Sequence, residues 1–415
     1  MATAFFDAEE TRPAAAREAA LMAALPGIIA AAQGNAPAYR KLLADIRPET
    51  ITNRQALAEL PLTRKSELLD LQRQNPPFGG FTTVGIDGIA RVFTSPGPIY
   101  EIEARRLDFF RMARALHAAG FRAGDLVHNT FSYHLTPAGA MLESAAIALG
   151  CPVIPAGTGQ TEQQLRTIAD LRPVAYVGTP SFLKILLDRA AETGSDLSSI
   201  KKAMVGAEAF PAVLREAFHA HGINTLQCYG TADLGLIAYE TMAPDGSVCD
   251  GMVVDEGVIL EIVEPGSGVP AAPGEVGEVV VTTLTAEYPL IRFATGDLSA
   301  LLTAPSPCGR TNQRIKGWLG RADQSAKVRG MFVHPSQVGE IIRRHPAVSR
   351  ARLVIERPAA ADVMTLLVET TAPNEAEAIA ATAQSVTKLR TTVSCVDAGN
   401  LPNDGKVIDD RRPIG

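Results

Sequence analysis

Between about residues 90 and 230, short apolar runs alternate with longer amphipathic ones. "RVF", "DLVHNTF", "CPVIPAG", "PVAYVGTP", "KKAMVGAE" and "NTLQCYG" read as strands. Between them, "PAGAMLESAAIALG", "TEQQLRTIADL", "SFLKILLDRAAETG" and "PAVLREAFHAHG" carry the apolar spacing of helices, as do residues 101–119, which stop at Gly120. The first of these four opens with proline and closes with glycine, and Thr161 with Gln164 forms a capping-box pattern. Strands alternating with helices of this length predict parallel βαβ units with helices on both faces of a sheet, an α/β fold. Ahead of them, residues 13–45 are Ala-rich with helical spacing. In "LPLTRKSELLDLQ", Thr63 is placed to cap a short helix.

After residue 250 the pattern turns β-rich. "GVILEIVEP", "GEVGEVVVTTLT" and "LIRFATGDLSALL" are separated by Gly/Pro turns and predict an antiparallel sheet or a distorted barrel beside the first sheet. Past about 320 a smaller α+β set follows, with helices in "PSQVGEIIRRH" and over 374–389. A chain of 415 residues exceeds what one core covers. The expected division is a large domain over 1–320 and a small C-terminal domain over 321–415, with the boundary near Gly320–Asp323.

Charge then narrows the function. The net charge is −6 and no basic run occurs, so a nucleic-acid surface is not expected. The N-terminus lacks a signal pattern, and no run of purely apolar residues approaches the roughly 18 of a membrane span. Five scattered cysteines make no disulfide framework, and a reducing cytoplasm is the expected home.

In a parallel sheet, ligands gather at the C-terminal ends of the strands. The loops there are "TSPGPIYE", "FSYHLTP", "AGTGQTE", "GTPS", "VGAEAF" and "YGTADLG". Together with "NAPAYRKLL", "LPLTRKSEL", "GEVGEVVVTTLTAEYPLIRFATGDLSAL", "GRADQSAKVRGMFVHPSQVGEII" and "LPNDGKVIDDRR", they resemble, in order and over nearly the whole chain, the phenylacetate–CoA ligase branch of the adenylate-forming enzymes. That resemblance implies a two-step reaction. A carboxylate, here of an aryl or arylacetic acid, attacks the α-phosphate of ATP with magnesium present. CoA thiolate then displaces AMP. It also implies a mobile small domain turning at Asp323, and a homodimer suits it.

The resemblance assigns roles residue by residue. Asp297 of "TGDL" would grip the ribose. Arg321 would make a second ribose or phosphate contact. Lys406 of "PNDGKV" would be the catalytic lysine. Gly206, Ala207 and Glu208 would line the adenine and acyl sites. Tyr229, Gly230 and Thr231 would border adenine, and Asp233 would hold magnesium directly or through water. The usual hydroxyl is replaced by Ala232, and the usual metal-binding Glu by the shorter Asp233. Phe131, Tyr133 and His134 would flank an aromatic ring, although aromatics at a sheet edge also serve simply as core.

"TSPGPIYE" takes the place of the phosphate loop. Thr94, Ser95 and Gly97 retain a hydroxyl pair and a glycine, but Pro96 and Pro98 each remove a backbone donor and Glu101 adds negative charge. This loop is expected to grip β- and γ-phosphates poorly. Besides a CoA ligase, two readings stay open: adenylation with another acceptor, and a nucleotide-binding protein without turnover. The segments that resemble a zinc cluster keep Cys308 and Cys249 but carry Ser306 and Thr241, so no bound zinc is expected.

Overall fold

Five short strands lie in parallel at the centre of the larger part of the chain. They run in the order Asn224–Thr231, Lys202–Val205, Ala175–Gly178, Val127–Asn129, Val153–Pro155. Their inner members are buried along their length, as the continuous apolar runs require of a sheet covered on both faces. Helices Ala138–Ala148, Thr161–Leu171, Pro180–Thr193 and Ala212–Ala220 make the connections. Pro180–Thr193 shows the local logic. Thr179 Oγ1 accepts from the Phe182 N–H (3.3 Å), Pro180 takes the first turn, and Gly194 closes the helix at φ +72°. Its Leu183, Leu186 and Leu187 then bury against Tyr176, Val205 and Phe218.

The coordinates form a computed structural model that describes residues 5–95, 98–264, 267–319, 321–322, 326–329, 331–333, 335–358, 362–402 and 406–412. The chain divides into one unit running to Trp318 and another from Leu319 to Ile414. In the larger unit, strands Gly235–Tyr239, Met252–Val254, Arg314–Ile315 and Leu301–Leu302 extend the parallel strands into a nine-stranded mixed sheet. A second sheet has the order Thr63–Arg64, Phe293–Ser299, Gly277–Thr283, Val258–Val263. Its last three strands are antiparallel, and Thr63–Arg64 joins the edge in parallel. The smaller unit has a four-stranded sheet, Thr392–Val396, Val363–Thr370, Val348–Glu356, Ile408–Asp410. It is covered by helices Pro335–Arg344 and Ala376–Thr387 around Val338, Ile341, Leu353, Leu366 and Ile379.

Four expectations are corrected. Residues 101–119 are not one helix. Ile99–Ala104 is a strand antiparallel to Ile89–Ser95, and the helix is only Ala113–Ala118. Residues 94–95 and 99–101 therefore lie on two paired strands, and residues 96–97 lie outside the described residues. The pairing overrides the helical spacing of the later residues, and Ile99 and Ile102 are buried in the main core. Thr63 caps no helix; it pairs with Phe293. The capping box does not form, because the helix begins at Thr161 itself behind Gln160 in a left-handed conformation. Gln164 instead donates to the Gly157 and Gly159 carbonyls (2.9 and 2.7 Å) and meets His128 Nε2 (2.8 Å). Finally, helix Ala14–Asn35 is long and apolar enough to cross a membrane by length and composition, since Arg17 and Glu18 are its only charges. Its Leu21, Leu25, Ile29 and Ala32 lie in the main core.

Candidate active site

Tyr229 sits near the end of strand Asn224–Thr231, and the chain then turns back into Gly235–Tyr239, so "YGTADLG" is a β-hairpin. Gly230 is required there: a Cβ would lie 2.6 Å from the Gly235 carbonyl. Thr231 Oγ1 stiffens the turn by accepting from the Leu234 N–H (3.1 Å). The buried Tyr229 donates its hydroxyl to Asp297 Oδ2 (2.9 Å), and Trp318 Nε1 donates to Asp297 Oδ1 (3.0 Å). Asp297 lies on the second sheet's Phe293–Ser299 strand, just after Gly296 at φ +77°, and its N–H donates to Thr295 Oγ1 (3.1 Å). The two sheets therefore meet at one oriented carboxylate.

The turn also buries Asp233, which is 5% exposed. Its Oδ2 takes the ammonium of Lys65, and its Oδ1 has no hydrogen-bond partner. Lys65 arrives because Thr63–Arg64 pairs with Phe293 and Ala294, ending the strand beside the site. Burial alone would lower the Lys65 ammonium. Asp233, with Glu101 and Asp297, outweighs it and holds Lys65 above the ordinary lysine value.

Glu101, fully buried, accepts a short 2.5 Å hydrogen bond from Ser95 Oγ, and its other oxygen has no partner. Burial, reinforced by Asp233, pushes its carboxyl up to about 8, against the pull of Ser95 and Lys65. Its burial therefore favours the neutral carboxyl over the charged one. Tyr288 is buried in the same neighbourhood with its hydroxyl unpartnered. Burial first, then Asp233 and Glu101, raise it well above the ordinary phenol value. A carboxyl held above its ordinary value of 4.5 favours folding at low pH, and that contribution is lost as pH rises from about 4.5 through about 8. Glu101→Gln is therefore expected to flatten the fall of melting temperature across that window, from about pH 4.5 to about 8. An unchanged pH profile would contradict this.

The other predicted residues fall as follows. Thr94 is half-buried and its N–H donates to the Leu135 carbonyl (2.8 Å). Gly97 lies outside the described residues. Gly206 follows strand Lys202–Val205, and a Cβ there would lie 3.1 Å from Cys228 Sγ. Ala207 (φ +65°) and Glu208 are exposed. Phe131 is buried in the main core, Tyr133 is half-buried with its hydroxyl accepting from Asn129 Nδ2 (2.8 Å), and His134 is exposed. Arg321 and Lys406 belong to the smaller unit. Arg321 is half-buried, while Lys406 is exposed with Nζ 3.8 Å from Asp409 Oδ1. Asp323 lies outside the described residues.

The four zinc-segment positions come near one another: Cys308 Sγ meets Thr241 Oγ1 (3.3 Å) and Ser306 Oγ (3.0 Å), and Cys249 N–H donates to the Thr241 carbonyl. Burial raises the Cys308 thiol, but Ser306, Thr241 and Arg310 outweigh it and bring it down to about 7. Two hydroxyls stand where thiolates would be needed.

Lys65 and Trp318 are the site residues missed from sequence. A single lysine in "TRKSE" carries no periodic signal, and Trp318 is 21 residues from its partner. The family described as AMP-binding enzyme matches residues 113–285. A phenylacetate–coenzyme A ligase of Aromatoleum evansii is 33% identical over 352 residues, 81% of this chain and 77% of the relative. One from Thermus thermophilus is 32% identical over 366 residues, 84% and 80% of the two chains. Among solved structures, a 2-hydroxyisobutyryl-CoA ligase in complex with 2-HIB-AMP and CoA is 25% identical. It superposes with a TM-score of 0.78, covering 98% of this chain and 92% of its own. The chain belongs to the phenylacetate–CoA ligase branch of the adenylate-forming enzymes and is an AMP-forming acid–CoA ligase.

Proposed function

We propose that the chain's acid is aromatic, an aryl or arylacetic carboxylate. The observation that supports the nucleotide half of the reaction is the Asp297 carboxylate, oriented through both oxygens by Tyr229 and Trp318 and ready to accept ribose hydroxyls. The acid's carboxylate oxygen bonds to the α-phosphorus as the bond to pyrophosphate breaks. The CoA sulfur then bonds to the acyl carbon, and AMP leaves with the carbon–oxygen electron pair. Lys65 holds an ammonium charge against Asp233 in the larger unit, and the motif positions of Lys406 and Arg321 assign them the catalytic ammonium and a contact to ribose or phosphate. Gly206, Ala207, Glu208, Gly230 and Thr231 border the nucleotide and acyl group.

Magnesium fits the residues present. Asp233 Oδ1 is a buried carboxylate oxygen without a hydrogen-bond partner, the hard donor such an ion takes alongside phosphate and water. Bound there, the ion would neutralise polyphosphate charge. Tyr133, beside Gly139 and Gly157, is the best-placed aromatic face for the acid, with His134 at the rim and Phe131 behind in the core. A cytoplasmic setting accords with the five free cysteines. Thioester formation from ATP, CoA and a panel of acids tests the substrate class. Phenylacetate or benzoate is expected to exceed 2-hydroxyisobutyrate in kcat/KM by about tenfold or more, the scale of a filled apolar pocket. Preference for the small hydroxy acid would overturn the aromatic assignment.

A further inference from the structure

In a phosphate-gripping loop, hydroxyls and ammonium groups face the incoming anion. Here two such groups, Ser95 and Lys65, already have carboxyl partners from the protein itself. Ser95, 6% exposed, gives its hydroxyl to Glu101 at 2.5 Å, and Lys65 gives its ammonium to Asp233. Glu101 reaches Ser95 because they lie on paired strands, with Ser95 opposite Ile99 and Phe93 opposite Glu101. Pro98 has no N–H, and the Thr94 N–H is committed to Leu135.

We propose that Glu101 is a specificity residue that holds the loop's hydroxyl against β- and γ-phosphates, so that the site favours an adenylate or AMP over ATP. The inference rests on the adenylate-forming reading above. To use Ser95, a polyphosphate must displace a buried acceptor and lie beside two carboxyl groups. An adenosine monophosphate held at Asp297 need not. Replacing Glu101 therefore strengthens ATP binding, whereas a residue that merely supports the fold would weaken every ligand together.

The test is calorimetric titration of the full chain with MgATP, pyrophosphate and AMP, for the native protein, Glu101→Ala, Glu101→Gln and the Ser95→Ala/Glu101→Ala double variant, with melting temperature as the folding control. In Glu101→Ala the affinities for ATP and pyrophosphate are expected to rise about tenfold, the scale of one hydrogen bond to a charged group, with AMP within about twofold. The gain should vanish in the double variant. Glu101→Gln, which still accepts from Ser95, should gain less. Weaker or unchanged ATP affinity in a folded Glu101→Ala or Glu101→Gln overturns the inference while leaving the ligase reading intact if acid-dependent turnover persists. Absence of ATP and AMP binding in the native protein overturns both. If neither Glu101 variant folds, Glu101 is structural and the inference is overturned.

Discussion

Lys406→Ala is expected to reduce acid-dependent adenylate formation by about 10²- to 10³-fold while leaving the melting temperature unchanged. The size follows from removing one charged group aimed at a developing anion. The unchanged stability follows from its setting: Lys406 is exposed, and its ammonium stands 3.8 Å from Asp409, a pairing worth little at a surface. If thioester formation from a pre-made acyl-adenylate survives in the same variant, the lysine acts in the first half-reaction. Equal loss of both half-reactions would contradict that role.

Asp297→Asn is expected to weaken AMP and ATP binding by on the order of 10²-fold, because the amide accepts through one oxygen and loses the charge that strengthens each ribose hydrogen bond. The substitution also turns an NH₂ group toward either the Tyr229 hydroxyl or the Trp318 N–H. A modest fall in melting temperature should accompany it. Titration with AMP measures the effect. Affinity within threefold of the native protein would remove Asp297 from the nucleotide site.

The alternation of apolar strands and amphipathic helices between 127 and 231 was legible because the inner strands are buried along their length and helices such as Pro180–Thr193 bury one apolar face. The hairpin Ile89–Ser95 with Ile99–Ala104 was not. "EIEARRLDFF" carries enough helical spacing to mask a strand whose partner precedes it across two prolines. Tyr229, Asp233 and Asp297 stand in short segments with recognisable residue order, so resemblance found them. Lys65 and Trp318 come to the same neighbourhood only through pairing of Thr63–Arg64 with a strand some 230 residues on and through the return of the chain at 318. Glu101 was read as added negative charge beside the loop. Its burial and its bond to Ser95 show a carboxyl that occupies the hydroxyl assigned to phosphate.

The central claim is that the chain joins a carboxylate to AMP before any thioester forms. Incubating the full chain with ATP, magnesium and phenylacetate, leaving CoA out, and analysing the bound and released products by mass spectrometry tests it directly. The account predicts acyl-adenylate and pyrophosphate in equal amounts, with AMP appearing once CoA is added. Release of ADP and phosphate, or turnover of ATP that is indifferent to every acid in the panel, would contradict it.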